Sequence, residues 1–388
     1  MKLAAAAPKG QDGKDLIRIL VRDPVLIVWA LYLMSIPFYV GDSGLPQPGN
    51  ALLILLIPLA LRGWNGRLQA AVLQILRPLA LFTLWVFLVN FTWALIQWKW
   101  GLRDYVLHPF YYAFNAVMFF TAQVLYQRHG QVFIRITGLV ITAMVGFLVV
   151  ASLFRRGDLR GTLWFNNPNQ LGYYALLAAC LVSLVQRPAR ISLLTASIAL
   201  TGCTYLSILS ASRAATAGIG ILFVLLVFSN PRLIALGVIA AVALLALGGP
   251  IADSMSYTEQ RRILIDRDKE TSFIEERNYN RLWEYKEHLL VGAGEGDFQR
   301  FTETDKEALE IHSSAATVVF SYGIVGTVLF LMFALRVVKR AHLRVTVMLV
   351  PTFAYTIAHQ GLRFTMLWVL LALFVACKLH AGSSRRPT

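Results

Sequence analysis

Long apolar runs separated by short polar connections dominate the chain, and the runs are continuous rather than alternating. A helix needs about 17–25 apolar residues to cross a bilayer, whereas a barrel strand facing lipid alternates with period two. Backbone groups in lipid must be satisfied within the spanning element, and a continuous run meets that demand as a helix. The pattern predicts spans at 24–40, 50–62, 78–97, 107–126, 132–153, 170–186, 190–209, 213–228, 232–250, 313–336, 343–358 and 362–380. The expected fold is thus an all-α polytopic membrane protein of about 12 transmembrane helices. One connection differs from the rest. Residues 251–312, between the ninth and tenth runs, form a long polar insert that follows Gly248-Gly249-Pro250 and ends at His312. The whole chain, 1–388, reads as one transmembrane domain carrying this partly helical insert. Within the insert, Arg277 to His288 has a helical pattern, with Leu282, Tyr285 and Leu289 on one face. Gly292-Ala293-Gly294-Glu295-Gly296 then breaks it as a turn.

Composition agrees with this layout: 57% of residues are hydrophobic and the mean hydropathy is +0.60, where ordinary soluble domains are about 45–50% apolar. The formal net charge of +15 changes the picture only once it is distributed along the chain. With the amino terminus inside, the inside connections hold 20 of the 36 basic residues and only Asp12, Asp15 and Asp23 among the acids. Cytoplasmic connections carry such an excess of Lys and Arg. The charge is therefore a topology signal, and a nucleic-acid partner is not implied by the pI. Both termini are expected in the cytoplasm and the insert on the outer side of the membrane. Cys180, Cys203 and Cys377 all fall inside predicted spans and read as small buried apolar residues, without a disulfide or metal role. The first span lacks a small-residue cleavage site and is expected to be retained.

Charges at the outer face are the candidate chemistry, because charge near the membrane is costly unless used. They are Arg155-Arg156-Gly157-Asp158-Leu159-Arg160, then Arg213 after Ser210 and Ser212, then the insert, then Arg363 after His359-Gln360-Gly361. Arg213 opens a predicted helix, whose free N–H groups and positive dipole end favour anions. A guanidinium added there pairs bidentately with phosphate oxygens, or else snorkels to lipid headgroups. The insert holds 15 acidic and 9 basic residues. Its Asp266-Arg267-Asp268 matches the D-x-D of metal-dependent sugar-nucleotide transferases, a cheap match in so acidic a segment. No histidine pair has metal-ligand spacing, so neither a metal nor any other cofactor is expected. His312 stands where the insert meets the membrane, at the start of the next helix, where a neutral imidazole would suit a general base. A helix-capping role is the plainer reading of the same position.

These residues together resemble the O-antigen ligase family of bacterial envelope glycosyltransferases, within the group that includes O-antigen polymerases. The likeness rests on His312 followed by Gly323 and Gly326, on Ser212-Arg213-Ala214 opening a helix, and on Arg281-Leu282-Trp283 shortly before Gly292-Ala293-Gly294. It rests also on about 12 spans with one large outer segment late in the chain. Ser313 and Ser314 stand where the family often has Asn after the histidine. The resemblance implies a metal-independent, inverting transfer of a glycan from undecaprenyl diphosphate to a hydroxyl of the lipid A-core oligosaccharide. His312 would be the base. Arg213, Arg281, Arg156, Arg160 and Arg363 would stabilise the diphosphate, with Arg261, Arg262 and Arg277 as alternatives to Arg281. A polymerase or protein-glycosylating ligase of the same group, or a transporter of lipid-linked saccharide, would share much of this pattern. A transporter, however, should place its charges near the bilayer midplane.

Overall fold

The computed structural model describes residues 23–41, 47–154, 161–229, 273–301 and 310–383. The predicted span 232–250, and with it Arg156, Arg160, Arg261, Arg262, Asp266 and Asp268, lies outside the described residues. Those described are all-helical, with no strand among them. Eleven helices of nine residues or more follow one another: α1 Pro24–Ser35, α2 Pro48–Leu61, α3 Ala70–Gln97, α4 Leu107–His129, α5 Gln131–Phe154, α6 Pro168–Val185, α7 Leu193–Leu209, α8 Arg213–Ser229, α9 Ser314–Val338, α10 Val350–Ala358 and α11 Thr365–Ser383. Four of them, α3, α5, α6 and α9, are long and apolar enough to cross a membrane.

Local chemistry sets where the helices begin. Proline occupies the first helical position of α1, α2 and α6, where its missing N–H costs nothing. Asp23, Asn167, Ser192 and Ser313 each cap a helix by accepting from a first-turn amide, at 3.2, 2.9, 3.0 and 3.2 Å. The centre of the molecule is α6, apolar on all sides and buried from Leu171 to Val182, with α11 beside it buried from Met366 to Ala376. A helix apolar all round belongs inside a bundle. Around this pair, α3 packs on α9, α4 on α11, and α8 on α10.

Two expectations meet a less regular backbone. The run 343–358 is helical from end to end, but a 3-10 turn at Val347–Leu349 interrupts the α-helical bonding between Leu343–Thr346 and the nine-residue α10. Pro351 in the first turn of α10 cannot donate the amide that a continuous helix would need. The predicted helix around Arg277–His288 is also broken, into Arg281–Glu284 and a 3-10 turn Lys286–Leu289, because Tyr285 departs from helical angles. Its apolar face survives the break. Tyr279, Leu282, Tyr285 and Leu289 pack on a small separate core of Ala293, Phe301, Ile311, Ala316 and Phe320.

The glycine turn does more than end that segment. Residues 292–297 are buried, and they run alongside a break in α9 at Gly323 (φ 63°, ψ −167°). The break frees helix carbonyls that would be costly to leave unpaired. Ala293 and Gly294 donate to the carbonyls of Phe320 and Ser321 at 2.9 and 2.8 Å, and the Trp85 indole takes that of Tyr322 at 2.8 Å. At Gly292 and Gly296 φ is positive and a side chain would collide with backbone: an added Cβ would sit 2.6 Å from Tyr322 Cα or 1.6 Å from Asp104 O. Only glycine fits so close a crossing of two chains.

Candidate active site

One polar cavity of about 530 Å³ opens where the amino-terminal ends of α2, α4, α6, α9 and α11 converge. Its lining mixes amides and rings, among them Gln47, Asn50, Asn167, Asn169, Gln170 and Tyr111, with the ionisable groups Glu310, His312, His359 and Arg363. The two sets interleave: the Arg363 guanidinium lies over the Tyr111 ring, and Tyr355, stacked on His359, donates to Asn169 O at 3.3 Å. The convergence of helix starts turns several positive dipole ends toward one space, an arrangement that favours anions.

His312 is half-buried at the rim, one residue before the α9 cap. Its backbone amide donates to Arg277 O at 3.2 Å. Its Nδ1 lies 2.9 Å from Glu310 O. A carbonyl can only accept, so this hydrogen bond puts a hydrogen on Nδ1, and a neutral ring so held has its lone pair on Nε2. That tautomer can take a proton from a hydroxyl at Nε2. The same Glu310 carbonyl also accepts from Asn278 Nδ2 at 3.2 Å.

Ser314 ties the start of α9 to the segment that carries Arg363. Its Oγ accepts from Gly361 N at 2.7 Å and Leu362 N at 3.3 Å, and its backbone amide donates to His359 O at 3.2 Å. Trp368 Nε1 fixes Leu362 O from below at 2.6 Å. The segment has no room for a side chain at Gly361, where an added Cβ would meet the Tyr173 hydroxyl at 2.7 Å. Held this way, Arg363 contacts two carboxylates through Nη2: Glu295 at 2.9 Å and Glu310 in a short ion pair. Glu295 is only 1% exposed. It enters from the buried glycine turn, and its other oxygen accepts from Tyr112 OH at 2.9 Å and Tyr322 OH at 2.5 Å. Asn90 clamps its backbone on both sides, donating to Glu295 O at 2.8 Å and accepting from Glu295 N at 3.2 Å.

The other arginines are distributed around this centre. Arg277 Nη1 donates to Ala358 O at 2.7 Å and lies 3.3 Å from His359 Nδ1, whose ring stacks on Tyr355. Arg281 is buried rather than exposed, with its guanidinium 5.6 Å over the Phe301 ring. It lines a small cleft with Glu295 and Glu310, and its Nη1 has no hydrogen-bond partner. Burial there pushes its pKa down, against the pull of Tyr285 and Glu284. Arg300 lies in the same layer, over Trp93, Tyr105 and Phe301, and donates to the carbonyls of Ala293 and Gly294. Burial lowers its pKa too. Arg213 is exposed at the first residue of α8 and does not line the cavity. Of the residues singled out in the sequence, the cavity therefore joins His312 and Arg363; Arg281 lies in the adjoining cleft, which shares Glu310.

Sequence reasoning passed over Glu295 and Glu310. Among 15 acidic residues in the insert neither stands out. The available signal was a carboxylate enclosed by three glycines, a poor place for a solvated charge and a good one for a carboxylate pushed into the protein. Among the described residues no three His, Cys, Asp or Glu side chains gather as a metal site. No protein-family model matches the chain, and no curated protein matches it.

Proposed function

We propose that the chain is a membrane-integral glycosyltransferase of the O-antigen ligase kind, moving a glycan from undecaprenyl diphosphate to a hydroxyl of the lipid A-core oligosaccharide. The observation that carries this reading is the cavity's mixed lining. Its amides and tyrosines suit a neutral polyhydroxylated ligand, which offers many hydroxyls to bond and ring faces to stack. His312 and Arg363 in the same lining suit proton removal and an anionic leaving group. Every helix start at the cavity is one that the charge pattern assigns to the outer face, the periplasmic side in this reading.

A lipid-linked donor needs its head in the cavity and its tail in the membrane. An apolar cavity of about 250 Å³ between α9, α10 and α11 fits the second need. It begins at Ser314, Thr356 and Leu362, next to the polar cavity, and continues down α9 to Val337. In the transfer, His312 Nε2 takes the acceptor proton as the hydroxyl oxygen bonds to the anomeric carbon. The bond from that carbon to the diphosphate breaks, and the leaving oxygen keeps the electron pair. Arg363, with Arg281, Arg213, Arg156 and Arg160 as the further candidates, stabilises the charge that develops. Both carboxylate contacts of Arg363 use Nη2 and its Nε is buried, which leaves Nη1 for a phosphate oxygen.

The buried Glu295–Arg363 pair lies near the end of the bundle. Tyr112 and Tyr322, which hold Glu295, are five and eight residues into α4 and α9, about 8 and 12 Å from those helix starts at 1.5 Å per residue. Arg363 itself lines the cavity at the helix starts, the place an interfacial enzyme needs its charge, whereas a transporter would set its charges at the midplane. Deletion of the gene should leave uncapped lipid A-core while undecaprenyl-linked glycan accumulates, read on a gel of envelope glycolipids. Normally capped core in the deletion strain would exclude the ligase reading.

A further inference from the structure

We infer that Glu295 and Arg363 are positioning residues that hold the His312 imidazole in its Nδ1–H tautomer, acting through Glu310; this rests on the reading of His312 as base.

The chain of contacts is continuous. Asn90 fixes the backbone of Glu295 on two sides, and Tyr112 and Tyr322 hold one carboxylate oxygen. The other oxygen meets Arg363 Nη2 at 2.9 Å. The same nitrogen meets the Glu310 carboxylate. Anchored by its side chain, Glu310 presents its own backbone carbonyl to His312 Nδ1 at 2.9 Å. Glu310 is exposed to the cavity whereas Glu295 is sealed from it, with side-chain exposures of 32% and 1%. The sealed carboxylate is therefore the fixed end, Arg363 the bridge, and Glu310 the arm that reaches the base.

The arrangement solves a specific problem. Free neutral histidine favours the Nε2–H form, which would leave Nε2 unable to accept a proton. A histidine is steered to the other tautomer by what its Nδ1 hydrogen meets. Here that acceptor is a backbone carbonyl two residues away, at Glu310, ahead of the Ser313 cap and outside the helix it begins. A carbonyl so placed stays aimed only if its residue is tethered; Asn278 Nδ2 reaches the carbonyl itself at 3.2 Å, and the ion pair to Arg363 is the tether that runs back to the helix bundle. The glycine turn thus acts on the base from a distance. Its buried backbone places Glu295, and Glu295 sets the position of Arg363.

The test reads the tautomer itself, so it does not depend on knowing the substrates. The full-length protein, labelled with 15N-histidine and placed in nanodiscs, is examined by NMR, with His312→Gln used to assign the His312 ring nitrogens by difference. Wild type should show His312 protonated on Nδ1. Glu295→Gln, and Arg363→Gln as a second variant in case the first fails to fold, should move the population to Nε2–H. Arg363→Lys should keep the wild-type tautomer, because a single nitrogen already meets both carboxylates. A merely structural role predicts no such split between Lys and Gln. Where transfer is assayed, Glu295→Gln should lower kcat by about 10-fold or more, on the order of the 10–100-fold lost when the outer partner of a metal-bound histidine is removed, with donor KM nearly unchanged. An Nε2–H signal in wild type, or an unaltered tautomer in folded Glu295→Gln and Arg363→Gln, overturns the proposal. A wild-type Nδ1–H signal that shifts as described, in a protein without transferase activity, would uphold the positioning and reject the function.

Discussion

At the scale of single residues, chemistry divides between groups in the cavity and groups that hold them. Among the described residues, His312 is the histidine that both lines the polar cavity and has its Nδ1 against a carbonyl, which leaves Nε2 of a neutral ring to take a proton. Arg213 is a different case. It lies at the first residue of α8, outside that lining. Its role in diphosphate binding would depend on the bidentate fork that lysine lacks. Arg213→Lys is expected to reduce transfer by at least about tenfold if the fork pairs with phosphate, a factor worth about 1.4 kcal/mol, measured as initial rate at saturating acceptor. An Arg213→Lys protein with wild-type rate would leave Arg213 as a headgroup anchor. His312 and Arg363 were legible in the sequence because each is an ionisable group at the edge of an apolar run. Their partner Glu295 was not. Burial of a carboxylate depends on which donors the fold brings to it, and Tyr112, Tyr322 and Arg363 come from three distant parts of the chain.

At the scale of elements, the glycine turn and the break in α9 depend on one another. Gly296→Ala places a methyl group 1.6 Å from Asp104 O at φ +114°. Gly66→Ala provides the contrast, with φ +72° and nothing within 4 Å. Left-handed backbone alone costs about 1–2 kcal/mol for a side chain, so Gly66→Ala should be mild. Gly296→Ala adds a backbone collision and should exceed that cost clearly, lowering the thermal midpoint in detergent and releasing Glu295 from its donors. Equal midpoints for the two variants would show that the turn does not hold the position described. The helices themselves were legible because continuous apolar runs have one economical solution in lipid. What escaped was the interruption of such runs. Gly323 leaves no mark on the hydropathy of α9, yet its backbone turns out of the helix to meet the insert. The insert's amphipathic face was legible through Leu282, Tyr285 and Leu289; its broken backbone was not, since spacing alone does not reveal the conformation at Tyr285.

At the scale of the whole molecule, the polar ends of five helices gather at one end of an apolar bundle, with a polar cavity beside an apolar one. That division matches a substrate with a sugar head and a prenyl tail. In the proposed transfer, arginines would take the part that a divalent metal plays in soluble sugar transferases. Transfer should persist in EDTA, assayed as product formed per minute before and after chelation. Loss of activity restored by Mg2+ or Mn2+ would instead direct attention to Asp266 and Asp268. The most direct test of the central claim is reconstitution of purified protein in liposomes with undecaprenyl-diphosphate-linked glycan and lipid A-core, following the release of undecaprenyl diphosphate and the glycosylated acceptor. Wild type should form both in equal amounts, and His312→Ala should form neither while retaining its fold and its affinity for donor. Transfer by His312→Ala at a rate near wild type, or no transfer by wild type with both substrates present, would contradict the account.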